Sequence, residues 1–162
     1  MTDLSRIGSL TLDDSGLPAP TPEVTQEREV AIFDLIEENR FMLVARKGQS
    51  PPAGPYHLDI SVKDGRLIFD VKTEDRRPIT SFHLALSPFR QLIKDYFRIC
   101  QAYFDAVKRL PTGQIEAIDH GRRAMHNEGA NLLIDRLSGK IETDLVTARR
   151  LFTLVCVLHF YG

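Results

Sequence analysis

Leu58-Asp59-Ile60-Ser61-Val62-Lys63-Asp64-Gly65-Arg66-Leu67-Ile68-Phe69-Asp70-Val71 is the stretch on which the fold turns. Asp64-Gly65 is a two-residue hairpin signal, because a type I′ turn needs positive φ at both central positions. Folding the chain there pairs Val62 with Leu67, Ile60 with Phe69 and Leu58 with Val71. All three pairs fall on one face, so turn chemistry and apolar alternation specify the same register. A third strand follows, in which Phe82, Leu84 and Leu86 alternate with His83 and Ala85. The expected unit is an antiparallel meander with one buried face.

Helices flank this unit. Thr21 can cap a first helix that has Pro22 at its opening position, Glu23 at the positive end of its dipole, and Ile32, Leu35 and Ile36 as an apolar stripe fading at Asn39. Phe41–Ala45 is a short strand candidate, and Gly48 to Pro55 a loop. After the meander, Ser87-Pro88 opens a long helix, Ser as cap, with Phe89, Ile93, Tyr96, Cys100, Tyr103, Val107 and Leu110 at steps of four and three. Pro111-Thr112-Gly113 ends it. Gln114 to Leu137 forms another helix, stopped by Ser138-Gly139. Asp144 caps a last helix that is apolar nearly all round from Leu151 and therefore central.

Strands first and helices after give an α+β fold: an N-terminal helix, an antiparallel β-meander of three to four strands, and three C-terminal helices packed on one sheet face. Residues 1–20 carry Asp3, Asp13 and Asp14 against Arg6 alone and read as an acidic extended arm, with one short strand at Ser9–Leu12. That arm is expected to be peripheral. Residues 21–162 form a single domain.

Composition narrows the functional classes. The 162 residues are 43% hydrophobic, which suits a globular chain. Lys and Arg number 21 against 22 Asp and Glu, so no net charge draws the chain toward nucleic acid or a membrane surface. The stretch from Lys72 to Arg109 is locally basic, with eight cations against four acids, and interleaves Tyr96, Phe97, Tyr103 and Phe104. Their helical spacing marks these rings as core first, so nucleic acid is not the expected partner. Cys100 and Cys156 sit in apolar patterns as small hydrophobes, in keeping with a reducing compartment. The N-terminus lacks a basic start followed by an apolar run, and no apolar stretch is long enough to span a membrane. The expected location is cytoplasmic. P-loop, GxGxxG, CxxC, HExxH and GxSxG motifs are absent, and no cofactor is expected. Cys156 and His159 are two candidate metal ligands one turn apart, too few for a zinc site.

Two polar constellations stand out. On the Gln114–Leu137 helix, Ile115, Ile118, Met125, Gly129 and Leu133 share one side, with Arg122 and His126 in its middle and Asp119 at its border. Polar groups on a buried face must be paired or serve a site. Arg123 points outward. On the last helix Arg149 shares a face with Thr153 and Cys156, and Arg150 is its neighbour. Arg122, His126 and Arg149 converging would bind an anion, since a guanidinium fork matches phosphate or carboxylate. Asp119 would orient His126 and raise its pKa. The architectural alternative is a buried Asp–Arg–His tie. The second constellation lies on the outward sheet face, where the hairpin sets Asp59 opposite Asp70. Pairing Val71 with Phe82 would add His83 to that row, with His57, Lys72 and Ser81 one step along. Asp59, Asp70 and His83 are a weak metal candidate; a solvated face is the alternative.

Several segments together resemble a bacterial family catalogued only as uncharacterised protein family 262. They are Phe69-Asp70-Val71-Lys72-Thr73-Glu74-Asp75, Phe82-His83-Leu84, Lys94-Asp95-Tyr96-Phe97, Tyr103-Phe104-Asp105-Ala106-Val107-Lys108, His126-Asn127-Glu128-Gly129-Ala130 and Thr147-Ala148-Arg149-Arg150-Leu151-Phe152-Thr153-Leu154. The resemblance implies a small bacterial cytosolic protein and brings no activity, cofactor or catalytic residue. The residues themselves favour a non-enzymatic binding or regulatory protein that recognises an anionic small molecule or a protein partner through Asp119, Arg122, His126 and Arg149. The runner-up is a small hydrolase or phosphoryl-transfer enzyme using His126 or the Asp59/Asp70/His83 row. A third reading is an interaction subunit that homodimerises through the sheet face.

Overall fold

A computed structural model describes residues 4–15, 19, 21–46 and 48–159; the side chains of Glu23, Val24 and His159 lie outside the description. The end of the arm at Leu17-Pro18 therefore falls outside it, and so does one of the two candidate ligands too few for a zinc site, the His159 imidazole, while Cys156 is buried in the core. The Asp64-Gly65 turn has φ values of 53° and 71°. It joins β3 (Tyr56–Lys63) to β4 (Arg66–Thr73) with Val62 opposite Leu67, Ile60 opposite Phe69 and Leu58 opposite Val71. Leu58, Ile60, Leu67, Phe69 and Val71 are all fully buried, which is what the alternation required.

The next hairpin shifts by two residues from the expected register. In β5 (Pro78–Ala85), Phe82 faces Phe69, Ser81 faces Asp70 and His83 faces Ile68. The Asp59–Asp70–His83 row is therefore not assembled, because a two-residue slip keeps the apolar face inward while moving His83 one full repeat along the strand. Among the described residues no cluster of three His, Cys, Asp or Glu side chains is placed to hold a metal ion. Asp59 and Asp70 do face each other. Lys72 binds Asp59 at 2.6 Å and offsets much of the repulsion. Asp70→Asn should accordingly stabilise by no more than about 1 kcal/mol, read as a slightly higher urea midpoint; a lower midpoint would show that Asp70 supports the sheet.

The arm is corrected more strongly. Ile7–Leu12 forms β1, which runs parallel to β3 at the sheet edge, giving the order β1-β3-β4-β5. Ile7 is fully buried and Leu12 nearly so, so this part of the arm belongs to the core. A parallel pair needs a long crossover, and α1 (Pro22–Glu37) lies within it. Asn39 locks the arrangement: its amide accepts from Ile7 N at 2.7 Å and donates to the Leu35 carbonyl at 2.7 Å and the Ile7 carbonyl at 2.9 Å.

The helices follow the sequence closely. Chain elements α2 (Ser87–Arg109) and α3 (Thr112–Leu137) are separated only by Leu110-Pro111. Ser87 is the first helical residue and Leu86 holds the cap position, without a side-chain hydrogen bond. Phe89, Ile93 and Tyr96 are buried as expected, whereas Val107 and Leu110 are exposed because the second half of α2 runs beyond the core. The Asp144 carboxylate accepts from Thr147 N at 2.9 Å and caps α4 (Leu145–His159). Leu151, Phe152 and Leu154–Leu158 are buried on all sides of α4. Helix α4 touches α1, α3 and β3, and α2 lies against α3. Between α3 and α4, β6 (Ile141–Thr143) pairs antiparallel with β2 (Phe41–Leu43).

Candidate functional site

Helices α1, α2, α3 and α4 enclose a cleft of about 920 Å³. Arg122 and His126 from α3 line it together with Arg149 and Thr153 from α4, so the three expected cationic and imidazole side chains do converge. Tyr96, Phe97 and Phe104 come from α2, and Glu27, Val30 and Ala31 from α1. Asp119 stands apart. Its carboxylate accepts from Arg122 Nη2 at 2.6 Å and Nε at 3.1 Å, and pairs with Arg123 at 3.0 Å. These bonds, Arg122 foremost, hold Asp119 below its ordinary pKa. It does not orient His126.

His126 is instead set by α4. Arg149 Nε donates to His126 Nδ1 at 3.2 Å, and His126 Nε2 lies 2.9 Å from Thr153 Oγ1. With Nδ1 accepting, the proton belongs on Nε2, and the Thr153 hydroxyl donates onward to the Arg149 carbonyl at 3.2 Å. The imidazole also meets the Tyr96 and Phe152 rings, with centroids at 5.4 and 5.6 Å. Burial, then the charges of Arg149 and Arg122, push its pKa down to about 4. This reverses the rise expected from an Asp119 partner. His126 is neutral at pH 7.

The two arginines differ. Burial works against the Arg122 charge, but the bond to Asp119 and the pull of Tyr96, Asp119 and Cys100 together outweigh it, and its guanidinium lies over the Tyr103 ring at 4.7 Å. Arg149 has no carboxylate within 4 Å among the described residues. Arg150 turns to α1 and donates to the Asp34 and Glu38 carbonyls at 3.0 and 2.8 Å, complementing the negative end of that helix. Burial raises the Glu27 carboxyl against the pull of Arg122. Burial likewise raises Tyr96, Cys100 and Cys156, which leaves these groups protonated. Both cysteines are free thiols.

A cluster the sequence did not reveal lies on the outer sheet face. Ser9 Oγ is 2.7 Å from His57 Nδ1, and His57 Nε2 is 2.7 Å from Asp59 Oδ1. Arg76, at a positive φ of 69°, reaches Ser9 Oγ at 3.2 Å and also touches His57. His57 is only 2% exposed, with both ring nitrogens engaged inside the sheet. The cluster ties β1 to β3. Its sequence signal, His57 opposite Ser9, exists only once β1 is known to run parallel. A smaller cavity of about 190 Å³ lies beside β2 and β5 and has Arg46 over the Phe82 ring at 5.6 Å.

Among the described residues no helix is long and apolar enough to cross a membrane. No solved structure matches the chain. A UPF0262 protein of Roseobacter denitrificans is 60% identical over 159 residues, covering 98% of this chain and 100% of that one. One from Ruegeria pomeroyi is 59% identical over 159 residues, at 98% and 99% coverage, and one from Jannaschia is 59% identical over 157, at 97% and 99%. The model of the Uncharacterised protein family (UPF0262) matches residues 4–161, and the chain belongs to that family.

Proposed function

We propose that the interhelical cleft binds an anionic small molecule and that the protein acts as a binding or regulatory protein. One observation carries this reading. Arg149 lines the cleft with its Nε given to a neutral imidazole and no carboxylate within 4 Å among the described residues. A half-buried guanidinium with remaining donors is suited to a phosphate or carboxylate, and Arg122 adds a second charge from α3. The cleft also falls within the usual size of small-molecule sites. Catalysis by His126 gains less support, since a pKa of about 4 is far from the value a general acid or base needs near neutrality. The outer sheet face, carrying Asp59, Asp70 and Lys72, gives a homodimer little apolar surface.

Phosphate should therefore stabilise the protein, by roughly 2.7 kcal/mol at a hundredfold excess over its dissociation constant. Arg149→Gln should remove most of that gain and leave the unliganded protein folded, because it takes away a charge that has no carboxylate within 4 Å among the described residues. Thermal melts of both proteins with and without phosphate read the difference. An equal shift in both, or none in either, would sink the proposal.

A further inference from the structure

Three of the exposed large apolar side chains belong to one place. Val30, Phe104 and Val146 are 52%, 61% and 52% exposed, come from α1, α2 and α4, and all line the cleft that holds Arg149. Single exposed apolar residues need no explanation, but three converging from separate helices on one opening do. Inward of them, Phe97 continues the apolar lining toward Tyr96 and His126. His126 rests on the fully buried Phe152 and so marks the inner end of the cleft, with the half-buried Arg149 bonded to it, while Val30, Phe104 and Val146 lie at the exposed rim, which Arg123 shares.

Resting on the anion-binding reading above, we infer that the cleft takes an amphipathic anion: a phosphate or carboxylate head at Arg149, with an alkyl chain running out past Phe97 to Val30, Phe104 and Val146. Charge and apolar surface lie along one channel, and a purely polar anion would leave the rim uncovered. Glu27 and Asp34 put negative charge on the α1 wall, so the head belongs at Arg149 on α4. Burying the chain gives the affinity, and the guanidinium fixes which end enters first.

Titration calorimetry on the full chain tests this with inorganic phosphate, then butyl, hexyl and octyl phosphate, then the matching carboxylates. Affinity should rise by up to about fourfold for each added methylene, the fold-change of a fully buried CH₂. Phe104→Ser, at an exposed position that the fold does not depend on, should flatten that rise. Arg149→Gln should weaken every ligand with a head group, while the dependence on chain length persists. Tighter binding of either head-group series identifies the head and supports the inference. Arg149-dependent phosphate binding with no dependence on chain length would overturn it and leave the anion reading standing. Affinity that grows with chain length but ignores Arg149 would overturn both. Sedimentation at the same concentrations adds a last check: a dimer that Phe104→Ser dissociates would give the rim to a second copy instead.

Discussion

Wild-type protein should lose about 3 kcal/mol of stability between pH 6.5 and pH 4 that a His126→Gln variant retains. The unfolded imidazole has a pKa of about 6.5. In the fold, burial and then the Arg149 and Arg122 charges push it down to about 4. The folded state therefore resists the proton that the unfolded state accepts. Stability from His126 is fully present above pH 6.5 and is lost as pH falls toward the folded value, at about 1.4 kcal/mol for each pH step between the two. Glutamine keeps the network without the titration, because its oxygen can accept from Arg149 while its amide donates to Thr153. Glu27 acts in the opposite sense: its raised carboxyl takes up a proton more readily in the fold, which partly offsets the loss in both proteins. The difference between the two denaturation series cancels that contribution. Parallel curves from pH 7 to 4 would show that His126 is not held neutral.

The hairpin was legible because two independent signals had to agree. A two-residue turn allows one register, and a slip by one would expose Leu58, Ile60 and Val62. The β4–β5 connection had no such constraint. Both registers keep Phe82 and Leu84 inward, so only the longer loop around Arg76 decides between them, and it moved His83 away from Asp70. The strand β1 was legible as a strand but not as core, since its acidic surroundings masked Ile7 and Leu12, and a parallel partner 49 residues away in sequence (Ile7 with Tyr56) leaves no local mark.

In the cleft, helical spacing alone put Arg122 and His126 on one buried side and Arg149 beside Thr153. What spacing could not supply was the partner of each group. Along α3, Asp119 stands one turn from Arg122 but two turns from His126, and it pairs with the guanidinium. His126 then turned to α4, a choice set by how closely α3 and α4 approach. The α1 wall of the cleft was not legible, because the stripe that marked this helix was Ile32, Leu35 and Ile36, and Glu27 and Val30 lie outside it.

That close approach rests on Gly129, and Gly129→Ala should destabilise the protein by about 3 kcal/mol or more. Helix propensity argues the other way, since alanine in a helix interior is better than glycine by about 1 kcal/mol. Packing decides the sign. A Cβ built at Gly129 would lie 2.3 Å from Phe152 Cζ and 2.4 Å from both of its Cε atoms, well inside van der Waals contact. Phe152 is fully buried and its ring is held between Tyr96, with centroids 6.0 Å apart, and His126, so it has no free direction in which to turn. The two helices must separate instead, and the His126 contacts with Arg149 and Thr153 lengthen with them. Gly121→Ala is the control on the same helix. Its Cβ would meet only the flexible end of Ile99, at 2.8 Å, and the variant should differ little from wild type. Adding Phe152→Leu to Gly129→Ala should recover part of the loss, although the same substitution alone leaves a void and destabilises. Urea unfolding of the four proteins closes the cycle. A Gly129→Ala variant as stable as wild type would mean that α3 and α4 are not in contact at this position, and the convergence of His126 with Arg149 would go with it.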